Sequence, residues 1–235
     1  MVTILTSDLA GSTSLGERLD PESLREIVSR YFDAMTAVIE SHGGVIEKFS
    51  GDAILALFGE RMARPDDALR AVHAAAETQR ALVALNDILD ARWGVRLANR
   101  TGVATGRLVI GEAGAGGRVL TGSAMTRATA LEQAAPTNAV LIDDATRRAA
   151  GAGVQVSEVD RVRPKGGTRT SRAFRLRAVT EHKHDPSRGD AAASTVQGAT
   201  SDRRKTVTIA FVDLEPRRSD GRRADARQVR TVMAR

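Results

Sequence analysis

The stretch from Val45 to Phe58 constrains this chain more than any other. Val45, Ile46 and Phe49 surround or precede a Gly-containing pair, Ser50-Gly51, and Ile54, Leu55, Leu57 and Phe58 follow it. Two apolar runs of strand length broken by such a pair fold back as a hairpin. A two-residue turn at Ser50-Gly51 puts Asp52 just past it, where rigid backbone holds the carboxylate and solvent still reaches it. A second carboxylate, Asp8, ends another apolar strand, Val2-Thr3-Ile4-Leu5-Thr6-Ser7. Two Asp side chains on neighbouring strand ends can share divalent cations, because hard cations take oxygen ligands.

The chain has 235 residues, enough to bury a full core. It has no Cys, which excludes disulfides, thiolate metal sites and Cys nucleophiles. That usage suits a reducing cytoplasm. No basic-then-apolar leader opens the sequence, and no apolar run is long enough to span a bilayer. The net charge is +6, of which residues 178–235 carry +4, from 12 basic and 8 acidic side chains. No aromatic residues interleave with the Arg pairs and no base-reading motif occurs, so a solvated segment explains the charge better than a nucleic-acid partner.

Helices alternate with short strands along the chain. After Asp8, the small residues Ala10 to Thr13 lead into a short helix ending near Leu19. Asp20-Pro21 opens a second helix, as N-cap and first-turn Pro. Its apolar face is Leu24, Ile27, Val28, Tyr31, Met35, Val38 and Ile39. His42-Gly43-Gly44 ends it. Arg64-Pro65-Asp66-Asp67 opens a third helix running to about Asp90. Val95 to Gly106 reads as strand and bend, with Arg107 to Gly111 pairing back on it. Gly114 to Gly117 is a hairpin tip; a Gly-rich run that opens no helix is a poor phosphate cradle. A helix from Thr121 to about Ala135 stops at Pro136. Ala139 to Ile142 is a strand, Asp143 caps a short helix, and strands at Val154–Asp160 and Ala173–Leu176 close the domain. This order predicts an α+β layer structure with a mixed or antiparallel sheet. His42 and His73 are predicted on helices with no second His or carboxylate at ligand spacing, as structural or exposed residues, and Trp93 as a cap on the core.

Residues 178–204 contain almost no large apolar side chain and read as a linker. The chain then repeats itself. Val207-Thr208-Ile209 and Asp213-Leu214 match Val2-Thr3-Ile4 and Asp8-Leu9, and the match runs without a gap to Arg235 against Arg30. Residues 205–235 are read as a truncated second copy of the domain opening.

Asp8-Leu9-Ala10-Gly11-Ser12-Thr13, Lys48-Phe49-Ser50-Gly51-Asp52 and Arg100-Thr101-Gly102-Val103-Ala104-Thr105-Gly106, in this order, resemble a class III nucleotidyl cyclase catalytic domain. The resemblance covers residues 2–177, to the closing Lys165-Gly166 and Phe174-Arg175-Leu176. It implies a ferredoxin-like cyclase fold, with helices flanking a mixed, mostly antiparallel sheet. It implies that ATP or GTP becomes a cyclic nucleotide with release of pyrophosphate, at sites between head-to-tail paired domains. Asp8 and Asp52 would hold Mg²⁺ or Mn²⁺, and the amides of Leu9, Ala10, Gly11, Ser12 and Thr13 would cradle phosphates. Lys48 matches the position that recognises the purine from the partner subunit. A Lys donor suits an adenine acceptor nitrogen, which favours ATP over GTP.

The resemblance weakens on the helix after the third motif. Thr126 stands where the family places the Asn that orients the ribose. Ala130 stands where it places the phosphate-stabilising Arg, and Val119 at the second purine-recognising position. Arg127 is one residue, about 100° of helix rotation, from the Arg position. Losing one preorganised charge-stabilising group costs about two to three powers of ten in rate. Two readings follow. One is a weak adenylyl cyclase, working as a homodimer or regaining one site beside a complete partner domain. The other is a pseudo-cyclase that binds nucleotide or only dimerises.

Overall fold

The computed structural model describes residues 1–113, 117–164 and 170–180. The elements are β1 (Val2–Leu9), α1 (Ser12–Arg18), α2 (Pro21–Ser41), β2 (Val45–Ser50), β3 (Ala53–Phe58), α3 (Asp67–Trp93) and β4 (Asn99–Gly106). They continue as β5 (Val109–Ala113), β6 (Gly117–Thr121), α4 (Ser123–Ala134), β7 (Ala139–Asp143), α5 (Asp144–Ala150), β8 (Val154–Val162) and β9 (Ser171–Val179). Seven strands form one sheet in the order β2-β3-β1-β4-β7-β9-β8. Only the β4–β7 pair is parallel. This is the expected α+β architecture with a mixed, mostly antiparallel sheet.

Period-two alternation decides what each face of the sheet buries. Ile54, Ala56 and Phe58 of β3, with Leu5 of β1 and Val103 of β4, join Ile27, Tyr31 and Met35 of α2 and the Ala-rich face of α3. Leu55 and Leu57, with Ile4 and Ala104, meet Ala124, Ala128 and Leu131 of α4 on the opposite face. The even-numbered residues of β1 and β4 therefore look toward α4. Asp8 and Arg100 share that parity.

The predicted helix starts are present where local chemistry sets them. The Asp20 carboxylate accepts from Glu22 N at 3.1 Å and Ser23 N at 2.9 Å, and Pro21 begins α2. Asp143 accepts from Thr146 N and starts α5. Trp93 ends α3 and lies against the core, with Arg92 over its ring at 4.3 Å.

Four expectations are corrected. The hairpin turn is Gly51-Asp52, because Ser50 pairs with Ala53. Gly51 has φ +64°, and positive φ at the first central residue is the type II′ pattern. Asp52 thus lies in the turn rather than after it. The strand after Gly106 does not return to β4. It pairs with β6, an unexpected strand, in a separate two-stranded sheet. The helix that follows begins at Ser123 instead of Thr121, and the last strand, β9, runs Ser171–Val179 instead of Ala173 to Leu176. Gly114 to Gly116, Lys165-Gly166, residues 181–204 of the predicted linker and the second copy at 205–235 lie outside the described residues.

Gly102 is where β4 and α4 touch most closely. A Cβ there would run into Ala128 O and Glu132 N, both main-chain atoms. Backbone cannot rotate away as a side chain does, so Gly102→Val is expected to cost at least about 3 kcal/mol, the upper range for overpacking. Thermal melting followed by circular dichroism checks this; a transition within a degree of wild type would refute the close packing.

Candidate functional site

Asp8 is one residue from the end of β1, a central strand. Its β3 partner is Ala53 and its β4 partner is Arg100. Ala53 is preceded by Asp52, so the sheet register carries the turn carboxylate to the Asp8 side chain. The two interact directly, and the Asp52 charge pushes the Asp8 proton affinity up. Across the other strand, Arg100 Nη2 donates to Asp8 Oδ2 at 2.6 Å. Burial is the main influence on Asp8 and raises its pKa, the Arg100 hydrogen bond opposes it, and the net direction is upward. Two carboxylates are therefore held together against their own repulsion beside one fixed cation.

This donor set suits a divalent ion. Two Asp side chains supply hard oxygens of the kind Mg²⁺ and Mn²⁺ bind. Among the described residues, no cluster of three or more His, Cys, Asp or Glu side chains is disposed around a metal position. The remaining ligands would be water, main-chain oxygen or substrate phosphate. Mg²⁺ has that habit, since it keeps waters and binds through one or two carboxylates plus phosphates.

Below the carboxylates the polar side chains are satisfied. Ser7, on the α2–α3 face of β1, reaches Tyr31 Oη at 3.4 Å and Thr101 Oγ1 at 3.1 Å. Asn99 Nδ2 donates to Ser7 Oγ at 3.2 Å, and Gln79 Nε2 to Asn99 Oδ1 at 2.7 Å. This buried network locks the ends of β1 and β4 together, and so fixes where Asp8 and Arg100 stand.

Glu132 on α4 is near enough to feel the charges of Asp8, Asp52 and Arg100. It is 7 % exposed, and its pKa is raised to about 7, first by burial and then by the Asp8 charge, against the pull of Arg100. A Glu in the unfolded chain titrates at 4.5. Between these values the folded protein holds the proton and the unfolded chain does not. Stability of the metal-free protein is thus expected to fall as pH rises from about 5 to 8, by on the order of 3 kcal/mol. Glu132→Gln is expected to remove most of that slope in urea titrations; an unchanged slope would refute the assignment.

The loop after β1 is partly used by the fold. Leu9 is buried and pairs with Asn99, and Ala10 N donates to Ala98 O at 2.8 Å. Gly11, with φ +77°, is the N-cap of α1 and offers no side-chain cap, so the first-turn amides of Ser12 and Thr13 lack a capping side chain. Lys48 is exposed on β2, opposite Leu55 and next to a register shift after Ile46. The adjacent Phe49 ring lies 4.7 Å from Phe32. None of these contacts brings Lys48 to Asp8 within one chain.

The divergent positions on and before α4 are placed as follows. Val119 is exposed on β6. Thr126 is exposed, with Oγ1 3.4 Å from Gly122 O in the preceding turn. Ala130 is 5 % exposed and lines a small pocket with Arg127, Leu131, Asp143, Val162, Pro164 and Ser171. Arg127 is committed elsewhere: Nε donates to Asp143 Oδ2 at 2.8 Å and Nη2 to Thr105 O at 2.8 Å.

Sequence reasoning missed Arg100 and Glu132 as members of the site. Arg100 opened a quoted motif, but only the β1–β4 register sets it opposite Asp8. The histidines take structural contacts, one of the two roles expected of them. His42 Nε2 lies 2.7 Å from Glu77 Oε2, and its ring stacks on His73 at 6.2 Å. Glu77 is on α3 and His42 at the end of α2, 35 residues apart, so no local spacing announces the pair.

Residues 1–178 match the family described as the adenylate and guanylate cyclase catalytic domain. The chain is 31 % identical over 114 residues to adenylate cyclase 1 of Rhizobium meliloti, covering 48 % of this chain and 17 % of that protein. It is 34 % identical over 122 residues to an adenylate cyclase of Anabaena cylindrica, covering 50 % and 23 %. The chain thus spans about a fifth of the length of these relatives. Among solved structures it is similar to the guanylyl cyclase Cya2, with TM-score 0.74, 35 % identity and coverage of 78 % of this chain and 94 % of that one. The adenylyl cyclase CyaB from P. aeruginosa gives TM-score 0.72 and 25 % identity, with coverage of 77 % and 95 %.

Proposed function

Because the chain belongs to the adenylate and guanylate cyclase catalytic domain family, we propose that it is a nucleotide cyclase domain that turns ATP into cAMP and pyrophosphate with low efficiency. The observation that carries this reading is the Asp8–Asp52 pair, two carboxylates that the β1–β3 register sets beside each other. Asp8 and Asp52 would hold Mg²⁺ or Mn²⁺. When bound, such ions supply the charge that favours the attacking ribose oxygen and the leaving pyrophosphate. Asp8 and Asp52 orient the site from a rigid sheet, and the amides around Ser12 and Thr13 bind phosphate oxygens. Lys48 recognises the purine of a nucleotide held by a second domain, and its donor chemistry supports ATP over GTP.

Pairing is supported by the β5–β6 hairpin, which stands apart from the main sheet and exposes Val109, Ile110 and Val119. The partner is a second copy of this domain or another cyclase domain. Residues 205–235, which repeat the domain opening, are proposed to begin a second cyclase-like segment. Among the described residues no helix is long and apolar enough to cross a membrane.

A second reading is favoured by Thr126 and Ala130. Neither can replace an Asn amide or an Arg charge, so the domain would bind nucleotide, or only dimerise, without turnover. The two readings separate in one experiment. The full chain is incubated with ATP or GTP and Mn²⁺, alone and mixed with a cyclase whose own metal Asp residues are replaced. Cyclic nucleotide formed in the mixture supports the catalytic reading. Its absence at every mixing ratio overturns it in favour of the binding module.

A further inference from the structure

The sheet face that carries α4 ends at β8, the outermost strand, one side of which has no ladder neighbour. Val159 pairs with Ala173 and Val162 with Ser171, so β8 carries one residue more than β9 across this stretch. Such a bulge releases main-chain groups around Arg161 from the ladder. Between this bulge and the C-terminal end of α4 lies a cavity of about 330 Å³. Its apolar wall is Ala134, Pro136, Leu141, Val159 and Val162. Leu141 and Val162 are 2 % and 9 % exposed, so the core holds this wall in place. Arg161 and Arg163 complete the lining, and both are exposed.

The charge is one-sided. Among the described side chains no acid lines the cavity, and no hydrogen bond or ion pair takes Arg161 or Arg163. Glu158 feels the Arg161 charge but gives its carboxylate to Arg172, at 3.0 and 3.2 Å. A guanidinium binds a carboxylate through two parallel N–H···O bonds, and the apolar wall rewards a body that leaves water. The volume is near the lower end of the ~300–1,000 Å³ range of ligand pockets, which suits a body of about ten heavy atoms.

We propose that this cavity binds a small organic carboxylate, its apolar body against Leu141, Val159 and Val162 and its charge on Arg161 and Arg163. The site shares no residue with the Asp8–Asp52 pair, Lys48 or the Leu9–Thr13 loop, so it stands whether or not the chain turns over nucleotide.

The test is a titration of the full chain with phenylacetate, followed by ¹⁵N NMR of the main-chain amides. Saturable shifts centred on Leu141, Val159 and Val162 are expected. The expected Kd is on the order of 1 mM, the reach of about ten heavy atoms at ordinary ligand efficiency. Acetate has the charge without the body, and phenylacetamide the body without the charge. Each is expected to bind at least about tenfold more weakly. The double variant Arg161→Gln/Arg163→Gln is expected to weaken phenylacetate by at least about tenfold, the worth of one charged hydrogen bond. Both positions are exposed, so its melting temperature is expected to match wild type. Ala134→Phe fills the cavity from an exposed helix end and keeps both arginines, and is expected to abolish the shifts. Shifts that fail to saturate, or that centre on other residues, would overturn the site. So would acetate or phenylacetamide binding as tightly as phenylacetate, or unchanged affinity in either folded variant.

Discussion

Asp52→Asn is expected to weaken Mn²⁺-dependent binding of a non-hydrolysable ATP analogue by about 100-fold or more. Removing a second-shell partner of a metal site already costs 10–100-fold, and Asp52 is proposed as a ligand itself. The variant isolates this effect because Asp52 sits in a two-residue turn and contributes no apolar contact to either core cluster. The backbone conformation that needs glycine is at Gly51, which is untouched. The melting temperature of the metal-free protein is therefore expected to stay within a few degrees of wild type. The Asp8 carboxyl is expected to become more acidic once the neighbouring charge is gone. Asp8→Asn is a poorer test, since it also breaks the Arg100 ion pair. Calorimetry of analogue binding with and without Mn²⁺ measures the loss. Unchanged affinity in a folded Asp52→Asn protein would sink the two-carboxylate site.

Restoring the missing groups is the second large effect. The double variant Thr126→Asn/Ala130→Arg is expected to raise cyclase turnover by about two to three powers of ten, the worth of one preorganised charge-stabilising group. The two halves differ in structural cost. Thr126 is exposed, so an Asn amide fits without repacking. Ala130 is 5 % exposed and lies beside Arg127, Val162 and Pro164. A long cation there meets the Arg127 guanidinium, which is held by Asp143 and Thr105 and is not free to move aside. Overpacking of this kind costs about 1–3 kcal/mol. A higher turnover with a lower melting temperature is thus expected from the double variant, and no stability loss from Thr126→Asn alone. Cyclic nucleotide formed at saturating Mn²⁺ and ATP, with a parallel melt, gives both numbers. A folded double variant with wild-type turnover would place the defect outside these two positions.

Much of the fold was legible because its signals are local. The apolar face of α2, its Asp20-Pro21 start, the Asp143 cap of α5 and the hairpin strands around Gly51 each depend on residues within one or two turns of each other. The first strand of the β5–β6 hairpin was legible, but β6 and the separation of this hairpin from β4 were not, for the opposite reason. Its strands are short, Gly-rich and exposed at Val109, Ile110 and Val119, so no buried alternation marks them. The turn was misplaced by one residue because Ser50-Gly51 and Gly51-Asp52 are both acceptable pairs. Only the Ser50–Ala53 register chooses between them.

Of the proposed site, the sequence by itself determined the candidates: the two carboxylates, Lys48, and the absence of Asn and Arg at Thr126 and Ala130, since each is a residue type at a fixed place in a motif. It also determined that Arg127 cannot replace the missing Arg, because one residue of helix rotation turns the side chain away. What only the tertiary structure decided is the company Asp8 keeps. Asp52 comes 44 residues later, Arg100 another 48, and Glu132 from a helix on the sheet face that the parity of β1 selects. Strand register joins the first three and helix packing adds the fourth. Register is a long-range property set by the whole core, so a chain read residue by residue shows the carboxylates but not the cation sitting beside them.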